Sequence, residues 1–200
     1  HDVALDMQKE ALKLQQCYRL PARGKPAVTL LALMGPGDLA ANTPLEFLVE
    51  NSDIELILQF VAPWLPLPQT VPDHDVAFVA IGESEQSLQT LQLADGLVQA
   101  WPRPVLNAPE RIARLSRDGV SAMLGSAPGV EIPNAVRVAR QLLQQVAHGG
   151  LPLTAVLKDG AFSVIVRPRD SHAGKGLDKA DDPQQLAAYL QERSQRLEEV

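Results

Sequence analysis

Three short apolar runs constrain this chain more than anything else in it: VTLLALM at residues 28–34, IELILQFV at 54–61 and VAFVAI at 76–81. Runs of this length and composition read as strands buried on both faces, the pattern of a parallel sheet covered by helices. The segments between them supply the helices. Residues 43–49 read as one, with Thr43 as cap, Pro44 at the first helical position and Glu46 three residues after the cap. Residues 84–100 read as another, with Leu88, Leu91, Leu97 and Val98 on its apolar face. A short strand follows at 104–106, Pro109 opens a helix through 115, and 116–124 continues it or starts a new one. Four prolines between residues 63 and 72 make that stretch an extended loop. Strand–helix alternation therefore predicts an α/β, Rossmann-like parallel-sheet domain over residues 27–125.

The flanks have a different texture. Val3, Met7, Leu14 and Tyr18 recur at helical spacing and predict a helix over 3–19, ended by Pro21 and followed by a Pro/Gly linker. Residues 1–20 thus read as an appended helix, the end of a preceding helical region. From residue 126 the pattern is α+β. An extended piece at 130–138 is followed by a helix at 139–147 and a strand at 162–168. After a polar loop come a short return strand at 177–180 and a helix opened by Asp182-Pro183. The polar run 191–200 carries no stop signal, as a truncated chain would show.

Composition excludes several classes. The chain has 200 residues and a net charge of -6, which argues against general nucleic-acid binding. No apolar run approaches the roughly 18–20 residues of a membrane span, and the first residues lack the pattern of a secretory signal. A single cysteine, Cys17, leaves no intrachain disulfide and no multi-cysteine zinc site. One unpaired thiol favours a cytoplasmic location.

Two constellations carry candidate chemistry. Gly35-Pro-Gly37-Asp-Leu-Ala40 formally matches the dinucleotide fingerprint G-x-G-x-x-G/A after a strand. Pro36 removes one N–H from that loop, however, and the second strand runs into Val61-Ala-Pro63 with no acidic residue for a ribose. A tight turn between strand and helix is the competing reading. Either way, Asp38, Asn42 and Thr43 stand on the rim where parallel-sheet proteins bind ligands. The second constellation runs from Arg167 to Lys179, where four Lys/Arg face two Asp. Its glycines and cations suit phosphate binding: backbone N–H groups form an anion nest and the cations neutralise charge. The register excludes a Walker A loop, and a solvent-exposed basic hairpin is the alternative. Asp73-His74-Asp75 reads as a solvated turn before a metal site, and the four histidines show no ligand spacing.

The second half resembles the ATP-grasp superfamily of ATP-dependent carboxylate–amine ligases, which includes glutathione synthetase and D-alanine–D-alanine ligase. Three passages carry the resemblance. Pro104-Val-Leu-Asn107-Ala-Pro109-Glu-Arg-Ile112 resembles the close of a pre-ATP-grasp domain. Ser116-Arg-Asp118 and then Gly129-Val-Glu-Ile-Pro133 resemble the entry into the ATP-grasp domain. Phe162 to Pro168, followed by Ser171 to Gly176, resembles the phosphate-binding strand and its glycine-rich lid. The GPGDLAANTP loop at 35–44 is similar to that of a bacterial subgroup carrying upstream tetratricopeptide-type repeats.

This resemblance implies a pre-ATP-grasp domain over 27–125 and an incomplete ATP-grasp N-terminal lobe over 126–200. It implies ATP and Mg²⁺ as cofactors, with the metal ligands beyond Val200. It implies a small-molecule or peptide carboxylate as acceptor, and a protein partner reached through upstream repeats. Arg167, Ser171, His172, Gly174, Lys175 and Gly176 would bind ATP; Asp38, Asn42, Thr43 and Asn107 would bind the acceptor. Two positions depart from the family: Gly119 stands where a lysine is expected, and Arg167 where the strand lysine is expected. The 200 residues alone are expected to be inactive. The alternatives are a non-catalytic interaction module with a decayed nucleotide site, or a dinucleotide-binding Rossmann domain.

Overall fold

A computed structural model describes residues 2–169, 171 and 176–198. The chain divides into two compact units, residues 1–115 and 116–200.

The first unit opens with helix α1 (Asp2–Leu14), strand β1 (Cys17–Leu20), strand β2 (Val28–Met34) and a one-turn helix α2 (Leu45–Leu48). Strands β3 (Ile54–Phe60) and β4 (Val76–Val79), helix α3 (Leu88–Val98), strand β5 (Val105–Leu106) and helix α4 (Pro109–Ile112) complete it. The five-stranded sheet has the order β1-β3-β2-β4-β5. β3, β2, β4 and β5 run parallel, and β1 is antiparallel on the β3 edge. The fold is thus mixed α/β with a mostly parallel sheet, as the apolar runs predict.

Central strand β2 shows why those runs are apolar. Leu33 packs with Val79, Ile81, Leu91, Ala94 and Ile112 on the face covered by α3 and α4. Ala32 and Met34 pack with Leu45, Leu56 and Ala80 on the face covered by α2. Alternate side chains of one strand therefore enter two different cores, which favours apolar residues on both faces. The chain leaves β2 toward β3 on one side and reaches β4 on the other. The carboxyl ends of β2 and β4 thus form the point where strand order reverses, the position of ligand crevices in open parallel sheets.

Two expectations about local structure are corrected. The helix expected over 3–19 ends at Leu14, and Cys17–Leu20 is a strand paired with Gln59 to Leu56 of β3. An open strand edge next to Tyr18 outweighs helical spacing, because it offers main-chain hydrogen bonds that a frayed last turn lacks. The segment is built into the unit, with Leu12 buried beside Ala62 and Leu65. The capping box expected at Thr43 is absent. Pro44 is the N-cap residue of α2, and no side chain caps it. The Thr43 N–H instead donates to the Ala80 carbonyl (2.7 Å).

The second unit contains α5 (Arg117–Leu124), α6 (Arg140–Ala147), a short 3-10 turn (Leu153–Ala155), strands β6 (Val164–Val166) and β7 (Asp178–Ala180), and α7 (Pro183–Glu198). β6 and β7 pair antiparallel. Val164, Val166 and Ala180 face a core with Val146 of α6 and Leu186 and Leu190 of α7, while Ile165 between them is exposed. This period-2 alternation marks a sheet covered on one face only. The return strand starts one residue later than expected, and the strand expected over 162–168 is ordered as a strand for three residues. Residues 129–139 form no regular element, and Ser121 pins them. Its hydroxyl donates to the Pro133 carbonyl (2.9 Å) and accepts from the Ala135 N–H (3.0 Å).

Candidate functional site

In the second unit, the site begins at the end of β6. Arg167 follows the strand directly and turns its guanidinium onto Ser171, four residues on. Arg167 Nε donates to Ser171 Oγ (3.1 Å), and Nη2 donates to the Ser171 carbonyl. Ser171 is buried. Arg117, the first residue of α5, donates from Nη2 to the same carbonyl (3.0 Å). Burial, and then the neighbouring Arg117 charge, lower the Arg167 pKa from its ordinary value. Two guanidinium groups thus share one uncharged oxygen, and no ion pair joins either to a carboxylate among the described residues. An anion placed between them would relieve the repulsion and supply the missing charge.

The far end of the loop is held separately. Gly176 adopts a left-handed backbone, φ 69°. The Tyr189 hydroxyl donates to its carbonyl (2.9 Å), and the Arg193 guanidinium lies over the Tyr189 ring at 5.7 Å. A Cβ at residue 176 would collide with the Arg193 guanidinium and come within 2.9 Å of the Pro168 ring. Glycine suits both the left-handed backbone and the close approach of the Pro168 ring. Arg167, Ser171 and Gly176 are therefore placed around one loop. His172, Gly174 and Lys175 lie outside the described residues.

The expected acceptor residues belong to the first unit, and three of them gather at the carboxyl end of β4. Asn42 bridges to Ile81, Thr43 bonds to Ala80, and Asn107 Nδ2 donates to the Val79 carbonyl (2.8 Å). Asp38 stands apart in the preceding turn, where its Oδ1 accepts from the Ala40 N–H (2.9 Å). Both asparagine amides are spent on the backbone. Asn42 Oδ1 accepts from the Gly35 N–H and its Nδ2 donates to the Gly35 carbonyl, each at 2.8 Å. Gln8 of α1 repeats the arrangement at Gly37, with 2.9 and 3.0 Å bonds. The N–H groups that a dinucleotide pyrophosphate would need are therefore taken by side-chain oxygens. The rim is a braced turn as it stands.

Other candidates dissolve into structure. Asp75 Oδ2 accepts from the Thr29 N–H (2.8 Å). His74 is buried against Trp101, its Nδ1 2.7 Å from the Pro72 carbonyl and its Nε2 without a partner among the described residues. Burial raises the Cys17 thiol pKa against the opposing pull of Arg19, so the thiol stays protonated and packs beside Leu31, Ile57 and Ala77. Among the described residues no group of three or more His, Cys, Asp or Glu could hold a metal ion, and no helix is long and apolar enough to cross a membrane.

Sequence reasoning missed Arg117, Tyr189 and Arg193. Arg117 had one legible signal: a cation in the first turn of a helix opposes the helix dipole. Tyr189 and Arg193, four residues apart on α7, had none. Compared with known protein families and with curated proteins, the chain finds no match in either.

Proposed function

We propose that the chain is the nucleotide-phosphate-binding part of an ATP-grasp-like ligase, in which ATP activates a carboxylate for attack by an amine or similar nucleophile. The observation that carries this reading is Arg167, which leaves the end of β6 uncompensated by any carboxylate ion pair among the described residues. Its planar fork suits bidentate contact with phosphate oxygens, so arginine can serve where related strands carry lysine. Ser171 is held by Arg167 and Gly176 by Tyr189, each through a side-chain hydrogen bond. ATP would supply the phosphoryl group. This chain's residues would hold its phosphates and keep their charge balanced, which is the protein's main contribution to phosphoryl transfer. Among the described residues no cluster of His, Cys, Asp or Glu fits Mg²⁺. Asn42, Thr43 and Asn107 at the end of β4, with Asp38 apart in the preceding turn, are the residues proposed for the acceptor carboxylate.

Thermal denaturation with and without ATP and Mg²⁺ tests the proposal. Ligand that binds only the folded state raises Tm, and an unchanged Tm at millimolar ATP would count against it. A second reading, a non-catalytic interaction module, draws on Phe47 and Leu48 of α2, which are 66% and 72% exposed. An unchanged Tm would favour that reading.

A further inference from the structure

Arg117 is electrostatically out of place. The free N–H groups at a helix start carry partial positive charge, so a cation in the first turn is disfavoured and an anion is welcomed. Arg117 begins α5, and its guanidinium reaches the Ser171 carbonyl that Arg167 already uses. The adjacent carboxylate, Asp118, is engaged by Arg137 at 3.0 Å. A carbonyl can accept two hydrogen bonds, but its partial charge does not balance two cations. Phosphate oxygens do both, because each guanidinium offers paired donors matched to them.

We propose that Arg117 is the second cation of this anion site. With Arg167 it grips a single phosphate-class anion, whose oxygens take the place of the Ser171 carbonyl. The proposal rests on the reading of Arg167 as a phosphate-binding residue and adds a residue that neither the spacing nor the resemblance points to. It also gives Ser171 a role. Its carbonyl holds the two guanidinium groups together when no anion is bound. Anion entry then displaces that carbonyl while the Ser171 hydroxyl keeps its contact with Arg167 Nε.

Titration calorimetry with inorganic pyrophosphate tests this on the whole chain. The variants are Arg117→Gln, Arg117→Lys and, as a control for net charge, Arg111→Gln on α4. Arg117→Gln removes one charge-assisted contact and is expected to weaken binding roughly ten-fold or more. Arg117→Lys should recover part of the loss, and Arg111→Gln, a screened charge outside the proposed contacts, should change affinity less than about two-fold. Arg117 is exposed and its side chain makes one hydrogen bond among the described residues, so far-UV circular dichroism should be unchanged in both Arg117 variants. Equal effects of Arg117→Gln and Arg111→Gln, or no pyrophosphate binding by the parent chain, would overturn the proposal. Repeating the titration with ATP and Mg²⁺ separates the two readings. ATP binding that is lost in Arg167→Met but intact in Arg117→Gln removes Arg117 and leaves the ATP site standing. Pyrophosphate binding sensitive to Arg117, with no ATP binding, keeps the two-arginine site and removes the ATP reading.

Discussion

The Asn42 side-chain amide and the Gly35 peptide exchange two hydrogen bonds, each 2.8 Å long, across the loop that leaves β2. Gly35 is buried, so its N–H and carbonyl need partners where water does not reach. Asn42→Ala removes both and should cost about 2–3 kcal/mol in urea denaturation. Asn42→Asp keeps the acceptor and places an anion beside the Gly35 carbonyl, so it should also destabilise. A loss under about 0.5 kcal/mol in both variants would show that the loop does not depend on this pair.

Glycines in the first unit should respond oppositely to alanine. Gly37 has φ 145°, and a Cβ there would lie 2.6 Å from the Ala41 Cβ. Gly37→Ala should therefore destabilise by more than about 1 kcal/mol. Gly96 lies inside α3, and a Cβ there meets nothing within 4 Å. Gly96→Ala should stabilise by about 0.5–1 kcal/mol, as alanine loses less backbone entropy in a helix. Equal signs in chemical denaturation would contradict the loop geometry.

Asn107 combines a left-handed backbone, φ 60°, with its bond to the Val79 carbonyl. Asn107→Gly loses the bond but frees the left-handed position of its β-carbon, whereas Asn107→Ala loses the bond and keeps a β-carbon there, a difference of about 1 kcal/mol. Melting temperatures should fall in the order parent, Gly, Ala. Alanine melting at or above glycine would rule out the backbone argument.

Acid should act on the second unit through Asp118. Burial pushes its carboxyl pKa up, but hydrogen bonds from the Ser116 and Arg137 side chains and from its own backbone N–H, with the Arg137 charge, leave it below the ordinary carboxylate value. A depressed folded pKa means stability that is full above the unfolded value and is lost as pH falls through the folded one. Below about pH 4 the parent chain should lose stability that Asp118→Asn never had. The effect is small because the pair is largely solvated. Parallel stability curves for parent and Asp118→Asn from pH 7 to pH 3 would show that the carboxylate contributes nothing.

What was legible in the sequence followed from local pattern. VTLLALM could be read as a doubly buried strand because its side chains enter two cores, and Thr29 near its start is its one polar residue. Cys17–Leu20 could not, because Tyr18 also fits the helical spacing of Val3, Met7 and Leu14; its strand state comes from the β3 partner. Thr43 looked like a cap because its neighbours fit one, but Ala80 claims its N–H from a distant part of the chain. Arg167 and Ser171 were legible together, being four residues apart at the end of one strand. Arg117 was not, because 54 residues separate it from Ser171 and only the tertiary fold joins them.

Calorimetric titration with ATP and Mg²⁺, comparing the parent chain with Arg167→Met, bears most directly on the proposed phosphate site. Saturable binding by the parent chain is expected, weakened by roughly ten-fold or more in the variant, the equivalent of one charge-assisted contact. Equal affinity in the two chains, or no heat of binding in either, would contradict it.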